Sequence, residues 1–389
     1  MRLSLAIGLI MISAVVTSPV SAAPTSGTAS TRWSAERANK WYAEQPWLVG
    51  SNFAPSTAVN QLEMWQADTF DLPTIDRELG YAQQLGFTSM RVFLHDIPWK
   101  EDREGFLSRI DQFLNVAQKH HIGIMFVIFD SVWNPFPKAG AQPTPKPHVH
   151  NSEWVQSPGA NILKDPAKQD ELKDYVTGLL TRFKNDKRVV IWDLYNEPDN
   201  PVPQYTKVEI PNKKQAALQL LKKTFAWARE VGPSQPVTSG VWIGNWPDVK
   251  KLSAVEKCQL NNSDVITFHN YGKLADVKLC VEHLRRYNRP IICSEYMARP
   301  MGSTFDPVLG YFKAQHVGAY NWGFVSGKSQ TIYPWDSWDK HYTAEPKTWF
   351  HDILRADGSP FDPKEIKYIK SLTGASNTSG TAKAKKTKK

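Results

Sequence analysis

Residues 122–130 read Ile-Gly-Ile-Met-Phe-Val-Ile-Phe-Asp. The run is apolar without alternation until it meets Asp130. A strand with one wet face alternates polar and apolar residues; one apolar throughout is buried on both faces, as in parallel sheets. Parallel neighbours need a crossover of a dozen residues or more, usually a helix. The flanks supply such crossovers. On the N-terminal side, Phe106 to His120 puts Phe106, Ile110, Phe113, Leu114 and Ala117 on one helical face. On the other side a long loop rich in Pro and aromatics runs from Asp130 to about Asp165, and Glu171 to Phe183 reads as the next helix.

Working outward, seven more β-rich runs appear: Trp47–Gly50, Ser89–Leu94, Val189–Leu194, Pro236–Trp242, Val265–His269, Pro290–Ser294 and Ala319–Phe324. Helical spacing falls between them, at Thr74–Leu85, Lys213–Val231, Val249–Cys258, Ala275–Tyr287 and Asp306–His316, with a last helix inside Thr348–Leu372. Eight strands, each followed by a helix or a long loop, predict an α/β chain folded as one (β/α)8 TIM barrel with elaborated βα loops. A doubly wound open sheet would call for a glycine-rich turn after the first strand. The actual run, Gly50-Ser51-Asn52-Phe53-Ala54-Pro55, has no GxGxxG.

The ends read differently. Residues 1–22 have a short positive start (Arg2), an apolar stretch and small residues before Ala23, the pattern of an export signal. The expected organisation is this signal, an N-terminal extension over 23–46, a catalytic domain over 47–373 and a Lys-rich, low-complexity tail over 374–389. The formal net charge of the 389 residues is +9. Five tail lysines and Arg2 account for six of those charges, which leaves the body at +3 and argues against nucleic acid as a partner. No stretch after the signal reads as a membrane span. A secreted or periplasmic monomer is expected; the tail reads first as a solubilising segment, with weak attachment to an anionic cell surface as the alternative. Of three cysteines, Cys293 is expected buried and free; Cys258 and Cys280 stay open as a pair, since spacing does not test bridge geometry. No cofactor is expected, and neither His120-His121 nor His148-Val149-His150 has a third ligand at metal spacing.

In a (β/α)8 barrel the chemistry gathers at the C-terminal ends of the strands. Glu197 follows the fourth strand and Glu295 the seventh, so the two face each other across the barrel mouth. Two carboxylates there suit glycosidic-bond cleavage, one protonating the leaving oxygen and the other attacking the anomeric carbon. Asp193 lies on the face of Glu197 but deeper, and reads as structural. The chain carries 15 Trp. Trp65, Trp133, Trp154, Trp242, Trp246, Trp335 and Trp338 fall in or beside predicted mouth loops, where an indole can stack on a sugar ring.

Asn196-Glu197-Pro198, His269-Asn270-Tyr271, Glu295 and Trp322, with Arg91 on the second strand, resemble the ordered residue set of clan A glycoside hydrolases, and most closely that of family 5, the cellulase and mannanase family. The resemblance spans roughly residues 47–345. It implies a retaining β-glycoside hydrolase with Glu197 as acid/base and Glu295 as nucleophile, acting on a carbohydrate. It further implies that Asn196 binds the sugar 2-hydroxyl, Arg91 sits by the nucleophile, Tyr271 donates to Glu295, His269 contacts substrate or the acid/base, and Trp322 lies under the sugar. Asp130, Trp133, Trp242 and Trp65 are expected as further substrate contacts. Two features depart from the family pattern. Asp130 stands where family 5 cellulases usually carry a His, and the first loop, Asn52 to Trp65, is long. Both would alter the sugar sites on the non-reducing side. The alternative functions are a non-catalytic carbohydrate binder on the same scaffold and an anionic-polymer binder acting through the tail.

Overall fold

The computed structural model describes residues 31–376. The expected export signal and residues 377–389 of the tail lie outside the described residues.

Eight strands form one parallel sheet: β1 (Val49–Phe53), β2 (Ser89–Phe93), β3 (Gly123–Val127), β4 (Val189–Asp193), β5 (Val237–Thr238), β6 (Ile266–His269), β7 (Ile291–Tyr296) and β8 (Gly318–Asn321). The order runs β5-β4-β3-β2-β1-β8-β7-β6, so first and last strands in sequence are neighbours. The remaining edge is closed by a single parallel bridge from Val241 to Phe268. There the Val241 amide donates to Thr267 O at 3.1 Å and the His269 amide to Val241 O at 2.9 Å. The fold is therefore a (β/α)8 barrel with a weak seam between β5 and β6.

Period-two burial explains why these runs fold as strands. Met125, Ile191, Val265, Ile292 and Tyr320 fill the barrel interior with Leu48. Their neighbours Ile124, Phe126 and Trp192 point outward into the larger core under the helices. Phe126 and Trp192 stack there at 5.7 Å. Both faces of each strand are thus apolar at mid-height, which is why residues 122–129 do not alternate in polarity.

The helices lie close to their expected places. Leu72–Gln84, Arg103–Lys119, Lys173–Phe183, Lys213–Val231, Ala254–Asn262, Leu274–Leu284, Phe305–Ala314 and Pro363–Thr373 form the outer ring. Lys213–Val231 ends at Gly232, whose left-handed φ of +63° closes the last turn. Short helices at Gln61–Trp65, Asp96–Glu101 and Ala160–Leu163 were not expected. Each is too short to show a hydrophobic period. Helix Ala35–Ala43 packs Trp41 and Tyr42 against the interior cluster. The segment before it is tied down by Arg289 Nη2 donating to Trp33 O and by Arg32 donating to Ser263 O and Leu260 O.

All three cysteines are free and buried, so Cys258 and Cys280 are not bridged. The Cys280 thiol instead meets the Asn270 amide at 3.2 Å. No helix among the described residues is long and apolar enough to cross a membrane.

The β1–β2 pairing tolerates no side chain at Gly50. A Cβ there would stand 1.6 Å from the Ser89 carbonyl oxygen on β2. Gly50→Ala is expected to destabilise the fold by about 3 kcal/mol or more, read as a large fall in Tm by circular dichroism or as loss of folded protein. A melting curve matching the parent's would contradict this register.

Candidate active site

The mouth of the barrel is organised around Arg91, which projects from β2 and is fully buried. A guanidinium has five N–H donors in a fixed fork. Here all five are used. Nε and Nη2 donate to Asp193 Oδ2 at 3.1 and 2.7 Å. Nη1 donates to Glu295 Oε1 at 2.7 Å and Asn52 Oδ1 at 2.8 Å, and Nη2 also donates to Asn196 Oδ1 at 2.6 Å. One cation thus joins residues from β1, β2, β4 and β7. Asp193 is the deep ion-pair partner that strand alternation suggested.

Glu295 reaches this network through an irregularity. Ile292 faces the interior and Cys293 faces out. Regular alternation would then turn Glu295 outward. Instead the register slips: Phe268 pairs with Cys293, and His269 pairs with Glu295. The skipped Ser294 is a β-bulge that re-aims the carboxylate into the mouth. Tyr271 OH donates to Glu295 Oε2 at 2.7 Å, so both carboxylate oxygens are held. Burial pushes the Glu295 carboxyl up from its ordinary range, with Arg91 and the Tyr271 hydroxyl opposing it.

Glu197 also departs from regular backbone. Its φ is +43°, uncommon for a residue with a Cβ. The turn brings its carboxylate to His269 Nδ1 at 2.7 Å (Oε1) and to Asn200 Nδ2 at 2.6 Å (Oε2). Burial pushes Glu197 up to about 7 and pushes His269 down to about 4, so this imidazole is neutral at pH 7. A carboxylate oxygen of Glu197, one of Glu295 and a ring nitrogen of His269 all lie within 4.8 Å of one another. The trio is compact enough to hold a metal ion, but the Arg91 guanidinium already supplies a cation at Glu295. The arrangement sets a carboxyl pushed up to about 7 by burial within 4.8 Å of a second one that is paired with a guanidinium.

Glu197 and Glu295 line a cavity of about 860 Å³, whereas Arg91, expected among the substrate contacts, is fully buried behind them and does not line it. Asn196, His269, Tyr271, Trp322, Asp130, Trp133 and Trp242 also line it, so the structure brings these expected site residues together. Trp322 is half-buried and stands edge-on to Phe93 and Trp154 at 5.6 and 5.7 Å. Trp242 is oriented by donating to Asp199 Oδ1 at 2.9 Å.

Two expected contacts are revised. Trp65 is not at the mouth. It is fully buried among Phe70, Phe106 and Phe113, and its Nε1 donates to Phe93 O. The helix Gln61–Trp65 turns the indole inward, which spacing in a loop does not reveal. Asp130 reaches the cavity, but its acceptor positions are occupied within the protein. Oδ1 takes Asn196 Nδ2 at 2.9 Å and the Val132 amide at 3.1 Å, and Oδ2 takes Trp154 Nε1 at 2.7 Å and Gln61 Nε2 at 3.2 Å. Asp130 therefore orients Asn196 and Trp154. Burial pushes it up to about 6. Among the other loop tryptophans, Trp154 and Trp335 line the cavity, Trp246 is buried against Phe268, and Trp338 backs Trp133.

Sequence reasoning missed Asn200, Asn52, His150 and His351. Asn200 had a signal, since it lies three residues past Glu197 in the same turn. His150 and His351 lie in long loops whose folding brings them to the cavity, and no local pattern marks them.

The cellulase (glycosyl hydrolase family 5) family model matches residues 62–326. The chain belongs to glycosyl hydrolase family 5 and is an O-glycosyl hydrolase. No curated protein matches it. Among solved structures it is similar to an exo-β-1,4-mannosidase, Op5Man5, from Opitutaceae bacterium strain TAV5 (18% identity, TM-score 0.54). That match covers 84% of this chain and only 59% of the mannosidase. It is also similar to the endo-1,4-β-mannanase of Rhizomucor miehei (14% identity, TM-score 0.54, covering 85% and 95% of the two chains). A third is the endo-β-1,4-mannanase of Thermotoga petrophila (12% identity, TM-score 0.55, covering 88% and 80%). At these identities the likeness concerns the fold.

Removing the Arg91 charge leaves Asp193 and Glu295 buried without a counter-ion. Arg91→Leu is expected to cost about 3–5 kcal/mol, measured as a fall in the urea midpoint at pH 7. Unchanged stability would mean that the two acids are not held by this cation.

Proposed function

We propose that this hydrolase cleaves β-glycosides with retention of configuration, Glu197 acting as acid/base and Glu295 as nucleophile. The observation that carries the reading is the pair of unlike environments less than 5 Å apart. Retaining enzymes place their carboxyl groups about 5–5.5 Å apart, while inverting enzymes leave room for a water at about 6.5–9.5 Å. A carboxylate oxygen of Glu197 and one of Glu295 lie within 4.8 Å. Glu295, paired with Arg91 and Tyr271, is suited to attack the anomeric carbon as an anion. Glu197, pushed up to about 7 by burial, is suited to hold a proton for the leaving oxygen and to take one from water in the second step. Asn196, fixed by Arg91 and Asp130, is the group for the sugar 2-hydroxyl. Trp322 is the face on which the sugar ring rests. Several of the structural neighbours are named for cleaving β-1,4-mannans or β-mannosides, so β-mannans lead the substrate panel, followed by glucans, xylans and galactans.

The same reading takes residues 1–22 as an export signal and the protein as a secreted or periplasmic monomer whose catalytic domain spans 47–373. The Lys-rich tail then serves as a solubilising segment, with weak surface attachment as its alternative role.

Two measurements test the assignment. Glu295→Gln should lower turnover by on the order of 10³-fold or more. Glu197→Ala should recover activity on an activated aryl β-glycoside when azide is added, yielding the β-glycosyl azide. Substantial activity in Glu295→Gln, or an α-azide product, would sink the retaining scheme.

The pH profile follows from the sign of the Glu197 shift. The acid must carry its proton, so kcat/KM should fall as pH rises through about 7, the value to which burial pushes Glu197. Protonation of Glu295 sets the acid limb. Glu197→Gln, assayed on an aryl glycoside with a good leaving group, should lose the limb near 7; persistence of that limb would assign it to another group.

A further inference from the structure

The two ends of the cavity are built differently. In a retaining glycosidase the transferred sugar lies over the nucleophile, and the leaving group departs past the acid. On the assignment proposed above, the glycone points toward Glu295 and the remainder of the substrate toward Glu197. The Glu197 side is exposed at its rim. Asn200 bonds Glu197, Trp242 is anchored to Asp199 in the same turn, and Ile243 beside it is 58% exposed at the rim.

The Glu295 side is walled. Tyr271, which bonds Glu295, stands edge-on to Trp335 at 5.2 Å and 5.5 Å from His351. Trp335 and His351 belong to the loop after β8, and His150 and Trp154 to the loop after β3. These two loops are sewn together. The Asn151 amide donates to Ser329 O at 2.9 Å, the His148 amide to Gln330 Oε1 at 2.7 Å, and the His150 amide to Ser337 Oγ at 3.0 Å. Trp338 Nε1 donates back to His150 O at 2.8 Å, and Trp133 lies flat on Trp338 at 5.3 Å and 9°.

The long loop after β1 locks the seam from outside. Asn60 Nδ2 donates to Gln142 Oε1 at 2.9 Å and to Glu153 O at 2.8 Å, reaching the β3 loop. The Lys328 amide donates to Ser56 O at 2.9 Å, and Lys328 Nζ pairs with Glu63, reaching the β8 loop. A sugar chain running through the site would have to break this three-loop seam, which includes buried backbone bonds and a stacked indole pair.

We infer that the cavity is blind on its glycone side, so the enzyme acts from the non-reducing end of a β-linked chain and releases a mono- or disaccharide. The inference rests on the retaining assignment of Glu197 and Glu295, because that assignment sets which end of the substrate meets the wall. The two departures from the family pattern lie in this wall: the long first loop supplies Asn60 and Glu63, and Asp130 holds Trp154 in place.

The test uses the full chain with mannohexaose, cellohexaose and xylohexaose, each carrying a fluorescent label at the reducing end, sampled at under about a tenth of conversion. The expected first labelled product is one or two units shorter than the substrate, with labelled intermediates then shortening stepwise. Labelled products of all lengths from the start would overturn the inference and leave the retaining reading standing. Label appearing first on a mono- or disaccharide would show release from the other end and overturn it as well. The anomeric form of the released sugar, followed by proton NMR in the same reactions, checks the mechanism separately: initial α-product would overturn the retaining reading and, with it, the direction argued here. Wild-type enzyme that turns over none of these chains, nor the matching aryl β-glycosides, would overturn both.

Discussion

The structure of the mouth depends on one buried cation. Arg91 uses every N–H of its guanidinium, and its five bonds hold four side chains, those of Asn52, Asp193, Asn196 and Glu295. Burying a guanidinium is costly unless its charge is matched and its donors are satisfied. Asp193 and Glu295 supply the match, and the side chains of Asn52 and Asn196 complete the hydrogen bonding. The same cation bonds Glu295 directly and opposes the rise that burial imposes on it, while burial pushes Glu197, which it does not contact, up to about 7.

Around that centre, positioning is done by groups that do not face the reacting atoms. Asp130 is the clearest case. Its four protein donors hold the Asn196 amide in one orientation and anchor the Trp154 indole, which packs edge-on against Trp322. The Trp322 ring and the Asn196 amide are thereby linked through one carboxylate. Two local backbone departures complete the site: the bulge at Ser294, which turns Glu295 inward, and the left-handed turn at Glu197. Such departures are found where function requires a side chain that regular structure would aim elsewhere.

The inferred direction of substrate entry rests on the loops. Those after β1, β3 and β8 merge into one wall beside Glu295, while the rim beyond Glu197 stays open. The barrel positions Glu197 and Glu295, and loop-to-loop hydrogen bonds shape the space around them. This division fits a scaffold whose strands are held by a continuous core and whose loops are free to differ.

The amino-acid sequence by itself determined the barrel and placed Glu197 and Glu295 at its mouth. Apolar strand runs alternating with amphipathic helices leave few arrangements that bury both faces of each strand, and the polar residues at strand ends then fall at one mouth. It also placed Arg91, Asn196, His269, Tyr271 and Trp322 there, because each lies on or within a few residues of a strand whose direction is set by the fold. Only tertiary structure decided that Trp65 is core, that Asp130 is filled by protein donors, that Cys258 and Cys280 are unbridged, and that His150 and His351 reach the cavity. Those outcomes depend on contacts between loops distant in sequence, where no local period constrains the backbone. A one-residue bulge at Ser294 is equally silent in sequence, yet it decides whether Glu295 faces the substrate or the helices.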